Sequence, residues 1–496
     1  MTAFSKLMEY QHQTEALAKI ATRLGWDQET VMPKGALQDR AEESAALEKT
    51  LHDRRSSSEL EDLLAAAHSQ PLTALETRQV SLIERALLRT RKVPVELSVA
   101  LARITPKSHQ IWAKARADDD FMAFAPILSE VIQLRRQEGE ALAQGSDAVA
   151  YEALLKDYEP DGEVAALTEM FDQLRSPLVK LRSAVLECPP PKALQGHFDP
   201  KQQMLISHEL AECFGYDFSR GRIDKAVHPF SSGSGNDVRI TTRTDPSDPL
   251  NCFYSTVHEV GHGSYEQNID PEYGFSPIGA GCSMGVHESQ SRIYENQLAR
   301  SRAFTGHLYR RMRAVFGDFG IEGEEAFYRA VNRVSQGYIR TEADELQYNL
   351  HIMLRFDLER DLISGALEVA DLEAAWNDRF EADFGYKIDK ASNGVLQDVH
   401  WSEGLFGYFP TYSLGNVYAG CLYQALRNDV ADLDVHLGSG KLEPAVSWLQ
   451  QRLQKHGGRF PAAELISSAC GQEVSVDPLL DYLNEKFLDL YGLSVA

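Results

Sequence analysis

Asp248-Pro249-Leu250-Asn251-Cys252-Phe253-Tyr254-Ser255-Thr256-Val257-His258-Glu259-Val260-Gly261-His262-Gly263 is the stretch on which the reading of this chain turns. Asp248 before Pro249 is the pattern of an N-cap and a first-turn proline, and Cys252, Phe253, Val257 and Val260 give the helix that follows an apolar character. On that helix His258 and His262 stand four residues apart. Both imidazoles then lie on one face, one turn apart, within reach of a single cation. Glu259 is next to the first histidine and can take a proton from a metal-activated water without ligating the metal. This is the arrangement of a zinc hydrolase. Gly261 between the histidines and Gly263 behind them leave room for another backbone to come close. The same letters on a solvated helix face would bind nothing, and the capped, apolar context argues against that.

An open catalytic zinc site needs a third protein ligand and keeps its fourth position for water. The best candidate is Glu288 in His287-Glu288-Ser289-Gln290, 26 residues after His262. The Gly- and Pro-containing loop from Pro271 to Gly285 can turn the chain back, and a second helix is expected from Met284 to Arg302. Two readings of Glu288 compete: a metal ligand, or a surface glutamate paired with Arg292 one turn on. His287 is a rival ligand, but it points to another face of that helix. Position 268, where a third histidine would complete the metzincin pattern, is Asn.

Five separated patches carry a wider likeness: Asp237-Val238-Arg239-Ile240-Thr241, His258 to His262, His287-Glu288-Ser289-Gln290, Ile339-Arg340-Thr341-Glu342-Ala343-Asp344, and Gly394-Val395-Leu396-Gln397-Asp398-Val399-His400-Trp401. Gly25-Trp26-Asp27 through Met32-Pro33, and Tyr408-Phe409-Pro410-Thr411-Tyr412, add to them. In these motifs and their order the chain resembles the carboxypeptidase Taq family of zinc metallocarboxypeptidases, over nearly its whole length. The resemblance implies removal of single residues from peptide C-termini with broad side-chain tolerance. It further implies zinc as the metal, with cobalt able to substitute, and commonly a homodimer. The implied fold is mainly α, a large helical metallopeptidase with a deep substrate cleft, related to the angiotensin-converting-enzyme and neurolysin group.

Within that frame the other patches have roles to test. Asp237 to Thr241 alternates polar and β-branched residues and reads as a short edge strand, giving a small β-sheet near the metal site. Such an edge could bind an extended peptide by strand addition. Arg239 is a candidate substrate contact, and its pair with Asp237 could brace the loop; both roles can hold together. Arg340 is the candidate for the substrate's C-terminal carboxylate, because a guanidinium offers a planar fork that matches it; a helix salt bridge to Asp344 is the competing reading. His400 and Tyr412 are candidates to stabilise the oxyanion, with Tyr408 as an alternative to Tyr412 or a second carboxylate contact. Packed core residues beside Trp401 and Phe409 would look the same.

At 496 residues, 43% apolar and 25% charged, the chain has ordinary globular composition. Helices are expected at Phe4–Leu24, Ala36–Leu64, Ala74–Leu88, Ala100–Asp118, Ala125–Gly145, beyond Val164, and at Leu346–Ile363, where apolar residues recur near period 3.6. The Pro/Gly/Ser-rich stretches Cys188–Lys192 and Ser231–Gly235 read as loops. No linker divides the chain, so residues 1–496 are expected to form one catalytic domain. Residues 1–200 would be a helical lobe forming a cleft wall, and 201–496 the metal- and substrate-binding part. A net charge of −23 argues against nucleic-acid partners. Neither a secretory signal nor a membrane-spanning run is expected, and six scattered cysteines without a CxxC pair read as reduced thiols, so a cytoplasmic location is expected. An endo-oligopeptidase or dipeptidyl carboxypeptidase with the same metal site, and a non-catalytic zinc-stabilised scaffold or binding protein, are the alternatives. An intact Glu259 and an open three-ligand set count against the scaffold.

Overall fold

The computed structural model describes residues 2–494. Helices dominate, and the only strands among the described residues are β1 (Gly221–Lys225), β2 (Ser231–Ser234) and β3 (Asp237–Thr242). The chain gathers into two compact units. One comprises Met1–Arg91, Lys192–Val331 and Cys421–Val474; the other comprises Lys92–Pro191, Asn332–Gly420 and Ser475–Ala496. Each draws on separated stretches of sequence.

In the first unit, the opening helix Ala3–Thr30 lies on Leu37–Arg55 and Ser58–His68. The expected single helix from Ala36 to Leu64 is broken because Ser57 caps a new one, its side chain accepting from the Leu60 amide at 3.1 Å. Leu7, Leu60, Leu64, Ala67, Val80, Ile83 and Leu87 form the apolar cluster of this layer. The sheet order is β1-β3-β2, with β1 parallel and β2 antiparallel to β3. Two expectations are therefore corrected. β3 is the central strand, not an edge, because the upstream Gly221–Lys225 supplies a second neighbour. Ser231–Ser234 is not a loop but the edge strand β2, whose turn back to β3 runs through Gly235 at φ +69°. Val238 and Ile240 point from β3 into the core.

The helix Pro249–Asn268 packs on β3. Asp248 caps it as expected, accepting from the Leu250 amide at 3.0 Å. A Cβ on Gly261 would meet the Gln290 carbonyl oxygen at 2.5 Å and Ser291 Cα at 2.6 Å. The helix Met284–Arg292 can therefore lie directly against the histidine turn only because residue 261 is glycine. That second helix continues not as α to Arg302 but as a π-helical segment, Ile293–Ala299, before Ser301 caps the next helix.

In the second unit, helix Glu345–Ser364 is buried on nearly every side, as expected of an element at the centre of a large core. Asp344 caps it through the Leu346 and Gln347 amides. The fully buried Glu359 accepts from Trp401 Nε1 at 2.9 Å, Tyr151 Oη at 2.8 Å and the Gly407 amide at 3.0 Å. One carboxylate thus ties both ends of the 401–407 loop to the core helix. No helix among the described residues is long and apolar enough to cross a membrane, and all six cysteines are free thiols.

Candidate metal centre and carboxylate-binding cluster

His258, His262 and Glu288 each offer one ligand atom, and these atoms lie within 4.8 Å of one another. The Nε2 atoms of His258 and His262 face Glu288 Oε2 at 3.9 and 3.5 Å. Their Nδ1 atoms are engaged elsewhere: His258 with Glu295 Oε2 at 3.0 Å, and His262 with His287 Nδ1 at 2.7 Å. Each imidazole is therefore held so that one specific nitrogen is free for a cation. Both readings of Glu288 hold at once. Its Oε1 accepts from Arg292 Nε at 2.7 Å, while Oε2 faces the imidazoles. A two-histidine, one-carboxylate set with borderline-soft nitrogens and a hard oxygen fits a divalent metal such as zinc.

The electrostatics of His262 and the two carboxyls agree with that fit, while His258, against its burial, is raised by Glu288 and Glu295. Burial, outweighing the pull of Glu288, lowers His262 to about 4, so its ring is neutral and able to ligate at neutral pH. Burial opposes ionisation of Glu288, yet Arg292 and His258 hold its carboxyl well below the usual range. Glu259, 6% exposed, is pushed up to about 7 by burial, against His258 and with Glu288 and Glu295 adding to the rise. A carboxyl balanced near neutrality is suited to taking and returning a proton. Glu295, which holds the outer nitrogen of His258, and Glu266, which lies 3.0 Å from His287 Nε2, escaped the sequence reading. Among 73 acidic residues neither carries a motif; only the placement of Glu295 one heptad after Glu288 hinted at a shared face.

The other candidates divide between the two units. Arg239, in the first, is taken up by Asp237, with Nε–Oδ1 2.7 Å and Nη2–Oδ2 3.0 Å, and its guanidinium lies 4.4 Å from the Trp26 ring centre. That arrangement is the brace. In the second unit Arg340, His400, Tyr408 and Tyr412 come together. Arg340 sits in a short 3-10 turn, Arg340–Glu342, and its partner is not Asp344, which is occupied as a cap. Instead Arg340 Nε donates to Asp398 Oδ1 at 2.9 Å and Nη1 to Tyr348 Oη at 3.1 Å. Arg355 donates to the other oxygen of Asp398, Nε–Oδ2 2.6 Å. Two buried guanidinium groups thus share one buried carboxylate, which leaves an excess of positive charge. Burial and the neighbouring Arg340 lower Arg355 to about 10 despite Asp398.

His400 Nε2 lies 3.3 Å from Tyr412 Oη, and the Tyr408 and Tyr412 rings meet edge-on at 5.2 Å. Burial and Arg340 hold His400 down at about 3, so it is neutral at physiological pH. The Arg340 guanidinium is 5.1 Å from the Tyr412 ring centre.

Comparison with known proteins fits this geometry. The family model described as carboxypeptidase Taq (M32) metallopeptidase matches residues 6–487. The chain is 37% identical to thermostable carboxypeptidase 1 of Thermus thermophilus, over 99% of each chain. It is 33% identical to carboxypeptidase 1 of Bacillus subtilis, over 99% of this chain and 98% of that one. Its structure matches the M32 carboxypeptidase of Deinococcus radiodurans with a TM-score of 0.95 at 35% identity, covering 99% of this chain and 100% of that one. A metal-dependent peptide hydrolase is what these likenesses describe, and the chain belongs to the carboxypeptidase Taq (M32) metallopeptidase family, as a metallocarboxypeptidase.

Proposed function

We propose that the protein removes single residues from peptide C-termini with broad side-chain tolerance, using zinc held by His258, His262 and Glu288. The observation that carries this is the convergence of two Nε2 atoms and one carboxylate oxygen whose opposite sides are already bonded. Zinc bound there supplies a Lewis acid that polarises the carbonyl and makes water a nucleophile at neutral pH; cobalt is the expected substitute. Glu259 takes the proton of the attacking water and returns it to the leaving amine nitrogen. Arg340, oriented by Asp398 and Tyr348, binds the substrate's terminal carboxylate, and the excess positive charge it shares with Arg355 favours that anion. Tyr412 and the neutral His400 donate to the oxyanion, each such donor being worth roughly 3 kcal/mol. Tyr408, packed against Tyr412, completes the wall of this cluster.

The same proposal treats residues 1–496 as one catalytic domain acting as a homodimer in the cytoplasm, where six cysteines outside any disulfide stay reduced. The reading is tested on the purified chain and two variants. The wild type and Glu259→Gln should each hold one equivalent of zinc, and His262→Ala should hold none. Turnover should fall roughly 1,000-fold in Glu259→Gln. Retained turnover there, or tight zinc binding by His262→Ala, would overturn the assignment.

A further inference from the structure

The two histidines of the metal centre are not held alike. His258 Nδ1 meets Glu295 directly, and that carboxylate is shared with Arg300 at 3.0 Å and Arg292 at 3.6 Å. His262 is held through an intermediate ring. Its Nδ1 lies 2.7 Å from His287 Nδ1, and His287 Nε2 lies 3.0 Å from Glu266 Oε1. With Nε2 of His262 turned to the cation, its Nδ1 carries the proton and donates to His287 Nδ1. His287 must then hold its own proton on Nε2 and donate it to Glu266. Only one order of protons satisfies the chain, and it ends on a carboxylate.

The surroundings keep that order. The Gly281 amide donates to the same Glu266 oxygen at 2.9 Å, and a Cβ at Gly281 would meet His287 Cδ2 at 2.8 Å and Tyr265 at 2.9 Å. Glu266 is 6% exposed, forms no ion pair with an arginine among the described residues, and its Oε2 has no hydrogen-bond partner there. It borders a cavity of about 260 Å³ that Lys19 and Glu15 also line. Its carboxylate meets His287 directly and faces the Lys19 ammonium across the cavity, with no guanidinium paired to it among the described residues.

We propose that Glu266 is a positioning residue that fixes the tautomer and orientation of His262 through His287, so that a carboxylate–imidazole–imidazole relay tightens metal binding at one histidine only. The proposal rests on the metal reading above. Zinc affinity, measured by competition with a chelating dye, tests it in a double-mutant cycle of Glu266→Gln and His287→Phe. Phenylalanine is chosen because it keeps a ring beside Tyr265 and His262. Glu266→Gln alone should weaken zinc binding about tenfold, in the range expected when such an outer partner is removed. In the His287→Phe background the same change should have no further effect. An undiminished effect there would mean that Glu266 acts through the Gly281 loop and would overturn the relay. Should His287→Phe fail to fold, unchanged zinc affinity in Glu266→Gln overturns it alone. A wild type that binds no zinc would overturn the metal reading itself, so the two failures are distinct.

Discussion

Arg340 and Tyr412 are the residues whose roles are most open to separation by kinetics. Arg340→Met removes the fork but leaves Asp398 paired with Arg355. A charged hydrogen bond of about 1.5–3 kcal/mol is lost, so kcat/KM on free peptides should fall roughly 10- to 100-fold. The penalty that C-terminal amidation imposes on the wild type should vanish in the same variant. Persistence of that penalty would place carboxylate recognition elsewhere. Tyr412→Phe keeps the ring contacts with Tyr408 and Tyr348 and deletes only the hydroxyl. Its kcat should fall about 100-fold with KM nearly unchanged, because an oxyanion donor acts in the transition state. An equal loss in a ground-state binding assay would contradict that role.

Elements, rather than single side chains, explain why the two clusters hold their shape. Gly261 sets the approach of the two helices that carry the three candidate ligands. Gly261→Ala should destabilise the fold by about 1–3 kcal/mol through overpacking, and should lower zinc affinity as Glu288 is pushed away. Thermal unfolding and chelator competition read the two effects; a variant with full stability would contradict the close approach. Glu359 is the corresponding anchor of the 401–407 loop. Burial pushes its carboxyl up to about 7, against the donors Trp401, Gly407 and Tyr151. The folded protein therefore holds a proton that the unfolded chain loses near pH 4.3. The contribution to stability is fully present below about pH 4.3 and is lost as pH rises through about 7. Measured from pH 4.5 to 8, the wild type should lose stability relative to Glu359→Gln. Parallel stability curves would show that Glu359 does not titrate in this range.

At these two scales the sequence was legible where one short stretch carries the whole pattern. The Asp248 cap, the two histidines on one helix and the need for Gly261 all fall within 15 residues, and local rules suffice to place them. What local rules missed depends on distant partners. β3 became central because Gly221–Lys225 pairs with it in parallel, and nothing in that strand announces a neighbour. Arg340 pairs with Asp398, 58 positions away, while the nearer Asp344 is drawn to the amides of a helix start. The π-helical turn at Ile293–Ala299 has no composition that distinguishes it from an α-helix.

On the scale of the whole molecule, a mainly helical chain with one three-stranded sheet among its described residues matches M32 carboxypeptidase structures over 99% of its length. The five motifs were legible because each is a short run of sequence, and they fall in order along far-separated segments of the chain. The units in which those segments pack were not, since each is built from discontinuous stretches that no linker marks. None of the six cysteines forms a disulfide, so thiol titration in denaturant without reductant should count six per chain; a lower count would reveal a disulfide.

The most direct test of the account is digestion of one defined peptide, free and C-terminally amidated, by the zinc-loaded enzyme, followed by mass spectrometry. The account predicts a ladder of single-residue losses from the free C-terminus and little cleavage of the amidated peptide. Internal cuts of similar rate in both peptides would contradict it and make the enzyme an endopeptidase.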